Sequence, residues 1–194
     1  MANVDAPFGL RPVGELGSNI QNGGTSKYLI TSGDTQAIYK GDLVKLEATG
    51  YITKSDDGDA VVAIGVFNGC FYIAPTTKKP TWSNYYPGTI TPASGNIEAF
   101  VYDDPNKLYE IQSDGTIAQT SVGRNADIVY AAGSTVNGQS KTELDATVAS
   151  AGATAQCRII RICEDPANND ISADNANWIV RLNEHQYYSN TAGV

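Results

Sequence analysis

The stretch IEAFVYDDPNKLYEIQSDGTIA, residues 97–118, decides the fold class of this chain. Its apolar and aromatic residues form short runs, which are interrupted first by residues 103–106 and then by Asp114 and Gly115. Interruptions of this composition are typical of the turns that join β-strands. The side chains between them are those that a half-buried sheet needs, and none of them indicates catalysis. The stretch therefore predicts a β-meander.

The rest of the chain has the same character. Its 194 residues include 19 Gly, 8 Pro and a single Met, a composition that suits many short strands better than packed helices. We therefore predict an all-β protein, an antiparallel β-barrel or β-sandwich with an extended N-terminal arm and long loops. The chain is long enough to bury the core of one domain.

The predicted organisation has three parts. Residues 1–24 form the extended arm, residues 25–183 form a single β domain, and residues 184–194 form a polar C-terminal tail. Within the β domain, residues 75–96 are rich in proline and aromatic residues and are expected to run over the edge of the barrel or into an interface.

Several strands can be placed inside the β domain. Residues 43–54 predict a hairpin, and the apolar run 60–67 predicts a central strand that is buried on both faces. Asn68 and Gly69 then predict a tight turn into a second hairpin. Residues 156–163 and 177–183 predict two later strands that pair antiparallel.

The N-terminal arm carries apolar side chains that a plain linker would not carry. Phe8, Leu10 and Val13 lie around Arg11 in a segment punctuated by Pro7 and Pro12, and residues before proline favour extended conformations. Two interpretations stay open: these side chains fold back on their own core, or they dock on a neighbouring chain.

The aromatic residues of the proline-rich excursion also have two interpretations. Trp82, Tyr85 and Tyr86 lie between four prolines, and exposed aromatic residues commonly mark protein interfaces. The same three rings are also suited to stacking on a carbohydrate. We expect them to belong to a protein-binding surface, with a sugar-binding platform as the alternative.

No motif of the sequence indicates an enzyme. His185 is the only histidine and has no nucleophile elbow to partner it, so we expect a surface or interface histidine. The acidic residues 56–59 lack the spacing of a calcium loop, and Asp103 and Asp104 are those of a turn rather than of a glycosidase pair. We therefore expect no catalytic residues, no metal and no cofactor.

Charge and cysteine content restrict the partners further. A net charge of −8 disfavours nucleic acid, which is bound largely through Lys and Arg. Three cysteines without a C-x-x-C pair predict reduced, buried thiols. No apolar run is long enough to cross a membrane, and the first residues lack the features of a signal peptide, so we expect neither membrane association nor export by that route.

The opening MANVDAPFGLRPV, residues 1–13, resembles the start of the small capsid decoration, or cement, proteins of tailed bacteriophages. Residues 108–112, 123–127, 156–161 and 178–185 fall in the order which that family shows. The resemblance spans most of the chain and is weakest in the proline-rich excursion.

The resemblance implies a β-rich structural protein and transfers no catalytic residue. A member of this family is made in the host cytoplasm, binds the exterior of a capsid built from a major capsid protein of the HK97-like fold, and stabilises it by bridging subunits. The expected partners are that capsid protein and further copies of this chain in a homo-oligomer. Phe8, Leu10, Arg11, Val13, Trp82, Tyr85 and Tyr86 are the expected partner-binding residues. The alternative is a carbohydrate-binding or host-attachment module on the virion.

Overall fold

The structure is a computed structural model that describes residues 3–17, 24–55, 62–147 and 155–188. The strands within those ranges are β1 (Arg11–Glu15), β2 (Ser26–Ile30), β3 (Ile38–Tyr39), β4 (Leu43–Leu46), β5 (Ile52–Lys54), β6 (Gly65–Ile73), β7 (Pro80–Ser83), β8 (Tyr85–Tyr86), β9 (Ile97–Tyr102), β10 (Lys107–Gln112), β11 (Asn125–Ala126), β12 (Ile128–Val129), β13 (Glu143–Leu144), β14 (Cys157–Ile162) and β15 (Asn177–Leu182). The one helical element of the described residues is a 3-10 turn, Gln119–Ser121. The prediction of an all-β fold is confirmed. The described residues contain no helix of the length and apolarity needed to cross a membrane.

Five strands form a closed barrel in the order β4-β5-β2-β9-β6, which a pairing between β6 and β4 closes. The β4–β5 hairpin is the one predicted from residues 43–54. All pairings are antiparallel except the single contact between β2 and β5. The barrel interior is mostly apolar, and its members are Ile30, Ile38, Val44, Ile52, Ile64, Phe67, Cys70, Tyr86, Ile97, Ala99 and Val101.

Strand β6 overturns the prediction of a tight turn at Asn68 and Gly69. The strand runs without interruption for nine residues and pairs with β4 at its start and with β7 from Cys70 to Ile73. Its pairing with β9 contains a β-bulge between Phe67 and Gly69. A side chain at position 69 would put its Cβ 2.6 Å from Cζ2 of Trp82. Glycine is therefore needed here for the close approach of an indole ring rather than for a turn.

A second sheet packs against the outside of the barrel. Its order is β1-β10-β15-β14-β11, and all its pairings are antiparallel, including the predicted pair β14 and β15. The inner face of this sheet shares one apolar cluster with Leu43 and Val66 of the barrel strands. The members from the sheet are Tyr109, Ile111, Ala126, Cys157, Ile159, Trp178, Val180 and Leu182.

The predicted meander at residues 97–118 is wrong in its pairing. Strands β9 and β10 form where expected, and the turn between them is closed by the Lys107 amide, which donates to the carbonyl of Asp104 at 3.0 Å. The two strands nevertheless belong to different sheets. Strand β9 already pairs with β2 on one side and β6 on the other, so it offers no free edge to β10.

The described part of the arm is extended and lies against its own chain. Strand β1 forms the edge of the second sheet beside β10, and the amide of Leu10 donates to the carbonyl of Gly41 at 2.9 Å. Leu10 is 2% exposed and belongs to the apolar cluster between sheet and barrel. Of the two interpretations of the arm, this conformation is the one in which it folds back on its own core.

Candidate interaction surfaces

Two of the seven predicted partner-binding residues are core residues. Leu10 is enclosed between sheet and barrel, and Tyr86 is fully buried in the barrel, where its hydroxyl donates to the carbonyl of Asp34 at 2.9 Å. Tyr86 lies opposite Ile38 in the β3–β8 pair, and both side chains belong to the apolar cluster of the barrel. Neither Leu10 nor Tyr86 can contact a partner in this conformation, which corrects their assignment.

The three aromatic residues of the proline-rich excursion do not form one platform. Tyr85 stacks on Tyr39 with ring centroids 5.4 Å apart and planes 5° from parallel. Tyr86 lies inside the barrel, and Trp82 lies on the edge strand β7 with 49% of its surface exposed. The excursion therefore supplies an edge strand, as expected of a proline-rich segment, and distributes its rings over separate places.

Trp82 belongs instead to an apolar surface on the outer wall of the barrel. Cross-strand partners share a face of the sheet, and Phe71 lies opposite both Trp82 and Glu98, while Leu29 also lies opposite Glu98. Phe100 packs on Trp82 with ring centroids 5.2 Å apart. We name this surface the wall patch; its members are Leu29, Phe71, Ile73, Trp82 and Phe100. All but Trp82 are half-buried.

A second apolar surface lies beside the edge strand β1. It is a groove of about 440 Å³ whose apolar lining is Val13, Leu16, Leu108, Ile160 and Ile179; Glu15 and Arg161 also line it. Val13 and Leu16 are 40% and 41% exposed. We name it the strand groove.

The remaining two arm residues contact each other and the sheet. The Arg11 guanidinium lies 4.5 Å from the centre of the Phe8 ring, a cation–π contact. It also donates to Glu110 on β10, at 2.6 Å through Nη2 and 3.2 Å through Nε. These contacts orient Phe8 and Arg11 at the surface next to the point where β1 joins the sheet.

The outer face of the second sheet carries a buried polar network that sequence analysis missed. Gln112 is fully buried and Asn177 and Asn168 are 3% and 6% exposed, yet all three are amides. The Asn177 side-chain amide donates to Oε1 of Glu110 at 2.8 Å, and Glu110 also accepts a hydrogen bond from Arg11. An isolated amide in a loop or at a strand end gives no signal in sequence, because only the fold reveals that it is buried.

The candidate catalytic residues of the sequence have structural roles. His185 is fully buried, which corrects the expectation of a surface histidine, and its Nδ1 accepts a hydrogen bond from the Tyr187 amide at 3.1 Å. Burial lowers the pKa of His185, although the nearby Asp103 opposes that shift. The Asp103 carboxylate accepts the Tyr28 hydroxyl at 2.8 Å, and that of Asp104 accepts the Asn106 amide at 2.8 Å, as in a turn.

The three cysteines are free thiols, as predicted. Cys70 and Cys157 are buried, and burial raises the pKa of each thiol to about 12, which keeps both protonated at neutral pH. Cys163 is only half-buried, which corrects the prediction that all three thiols are buried. Within the four described ranges no three His, Cys, Asp or Glu side chains form a group that could hold a metal ion. The acidic residues 56–59 lie outside the described residues.

Comparison with known proteins found no matching family model, no matching curated protein and no matching solved structure.

Proposed function

We propose that this chain is a capsid decoration protein, which binds the outside of a bacteriophage capsid and bridges subunits of a major capsid protein of the HK97-like fold. The resemblance of residues 1–13 to that family suggests it. The structural observation that supports it most is that one molecule carries two apolar surfaces on two different sheets, the wall patch on the barrel and the strand groove beside β1. Exposed apolar surfaces of this kind mark interaction sites.

Two separate surfaces suit a bridging role because each can contact a different neighbour. Trp82 is the exposed side chain of the wall patch, and Val13 and Leu16 are the exposed apolar side chains of the strand groove. Aromatic residues of this kind dominate the binding free energy of many interfaces. Contacts that are individually weak become stable when many copies bind a symmetric lattice, because each further contact is intramolecular.

Sedimentation with capsids stripped of decoration protein tests the proposal. We expect Trp82→Ala to weaken capsid binding more than about tenfold, since loss of a central interface tryptophan commonly costs about 2 kcal/mol or more. Val13→Asp should weaken it similarly by placing a carboxylate in the strand groove. Val136→Ala is the matched control, because Val136 is 96% exposed and belongs to neither surface.

Undiminished binding of both variants, each shown to be folded by circular dichroism, would contradict the bridging role. Loss of binding by one variant only would leave a decoration protein with a single contact surface and would remove the bridging part of the proposal.

A carbohydrate-binding module is the second candidate, and the exposed indole of Trp82 favours it. The ring packs against Gly69 from the edge strand β7, and its Nε1 donates to Oδ1 of Asn84 at 3.3 Å. An exposed indole of this kind is suited to stacking on a sugar ring. Glycan binding that quenches tryptophan fluorescence and is lost in Trp82→Ala, together with no affinity for capsids, would favour this candidate over decoration.

A further inference from the structure

Side-chain amides, rather than a neighbouring strand, bind the main chain of the first described residues. The Asn168 side chain accepts the Val4 amide at 3.1 Å and donates to the Val4 carbonyl at 2.9 Å. The Gln112 side chain accepts the Ala6 amide at 2.9 Å and donates to the same Val4 carbonyl at 2.9 Å. These are the bonds that a strand would otherwise make to an extended peptide.

The two amides are held in position by groups behind them. Both donate to the carbonyl of Asn175, Asn168 at 3.0 Å and Gln112 at 3.1 Å, and both lie 3.4 Å from Oδ1 of Asn177. Asn177 is anchored on Glu110 at 2.8 Å. We name Gln112, Asn168 and Asn177 the amide clasp. Because its members are almost wholly buried, their donors and acceptors point at the peptide with little freedom to turn away.

The clasp recognises main chain and one side chain. Val4 is 57% exposed, and the side chains of Asp5 and Ala6 also face solvent, so the clasp does not select them. Asn3 is selected, because its amide donates to the carbonyls of Asp170 at 2.9 Å and Asp174 at 2.8 Å and its Oδ1 accepts the Asp170 amide at 3.2 Å. The ligand is therefore an extended peptide with asparagine one position before the clasped residue.

We propose that the amide clasp is a peptide-binding site that takes the N-terminal segment of a second copy of this chain in place of its own, so that neighbouring copies exchange these segments. The segment that fills the clasp is this chain's own residues 3–6, and an identical segment from another copy makes identical hydrogen bonds. The proposal does not depend on the capsid function.

Concentration decides which segment occupies the clasp. The chain's own segment is tethered and has an effective concentration in the millimolar range, so it fills the clasp in dilute solution. Exchange conserves every hydrogen bond and is favoured only when copies are crowded, as on a lattice or at high protein concentration. Because Leu10 and β1 stay in place, only residues 3–9 exchange; they extend to about 23 Å, so the two copies must be in direct contact.

Point variants in the full chain test the site without removing β1 from its sheet. The probe is a fluorescein-labelled peptide with the sequence of residues 1–8, followed by fluorescence anisotropy. Asn3→Ala in the protein weakens its own segment and leaves the clasp intact, so we expect the labelled peptide to bind this variant about tenfold or more tighter than the wild-type chain. Asn168→Ala removes the clasp, so we expect no binding.

The opposite signs of the two variants separate a peptide site from a merely structural contact. A labelled peptide that itself carries Asn3→Ala is the matched control and should bind the Asn3→Ala protein at least about tenfold more weakly than the wild-type peptide. Equal binding of the wild-type peptide to the Asn3→Ala and Asn168→Ala proteins, or no binding to the Asn3→Ala protein at millimolar peptide, overturns the proposal. Asn168→Asp, which keeps the acceptor and the shape but loses the donor, serves if Asn168→Ala does not fold.

Sedimentation velocity at rising protein concentration tests the second copy as occupant. We expect the wild-type chain to form dimers that Asn168→Ala does not form. Peptide binding without any such dimer would overturn the assignment of the occupant to this chain.

Discussion

The barrel and the second sheet are stabilised in different ways. The barrel interior consists of apolar side chains with Cys70 and Tyr86. The barrel strands form backbone hydrogen bonds with one another around a closed ring. The second sheet has an apolar inner face, but its outer face buries Glu110 and Gln112. The closed barrel is stabilised by the packing of its interior. Residues 3–6 have no strand to pair with, so directional polar side chains bind them to the second sheet.

The largest effect should follow from a cavity in the barrel. Phe67 is fully buried, and we expect Phe67→Ala to lower the free energy of unfolding by about 3–5 kcal/mol. Urea denaturation measures it. Phe71→Ala, on the same strand but facing outward in the half-buried wall patch, is the control and should lower it by clearly less. Equal losses for the two variants would mean that the barrel interior is not what stabilises this half of the molecule.

Loss of a buried amide should cost less than a barrel cavity. Gln112→Leu fills the same space but leaves the Ala6 amide and the Val4 carbonyl without this partner, so we expect a loss of about 1–3 kcal/mol. Hydrogen exchange of the Ala6 amide should accelerate. Exchange of the barrel amides should change only as much as the free energy of global unfolding changes. The exposed Gln119→Leu is the control. If Gln112→Leu is as stable as this control, the polar network does not bind the arm.

The single histidine makes the stability depend on pH in a predictable direction. Burial lowers the pKa of His185 in the folded chain, whereas in the unfolded chain it titrates near its usual value of about 6.5. As the pH falls below that value the unfolded state binds the proton first, so folded stability decreases, by at most about 1.4 kcal/mol per pH unit, until the folded pKa is reached.

His185→Asn isolates this contribution. The asparagine oxygen can accept the Tyr187 amide in place of Nδ1, and the side chain does not titrate. Urea denaturation between pH 7.5 and 5.5 should show that the wild-type chain loses more stability than the variant. Parallel pH profiles would show that the pKa of His185 is the same in the folded and unfolded chains. Carboxylates contribute equally to both proteins and cancel in the difference.

The sequence predicted the strands better than their partners. Local alternation marks β9 and β10 because side-chain direction is a local property, but their separation into two sheets depends on which edges other strands occupy. Asn68 and Gly69 have the composition of a hairpin turn, and only the indole of Trp82 in the folded barrel shows why glycine is there.

Sequence composition did not separate the surface residues of the arm and the excursion from the core residues. Trp82, Val13 and Arg11 are exposed and Phe8 is half-buried, whereas Leu10 and Tyr86 are core residues. Apolar composition does not show which side of a strand faces water when the neighbouring sheet is unknown. The amide clasp was not predicted at all, because burial of a polar side chain is a consequence of tertiary structure and its cost is offset by partners far away in sequence.

The smallest effect should come from two charged residues that neighbour the wall patch, and it sharpens the contrast between the two regions. Lys27 and Glu98 form an ion pair at 3.0 Å, but their side chains are 57% and 33% exposed. A double-mutant cycle with Lys27→Ala and Glu98→Ala should give a coupling below about 1 kcal/mol, which salt reduces further, because water screens exposed pairs.

Lys107 and Glu15 are the matched pair in the second sheet, at 3.3 Å, with side chains 1% and 12% exposed. Glu15→Ala would leave the Lys107 ammonium buried without this partner, so we expect it to cost clearly more than Glu98→Ala and to be insensitive to salt. Equal and salt-sensitive costs at the two sites would mean that the barrel does not differ from the second sheet in depending on packing rather than on buried polar pairs.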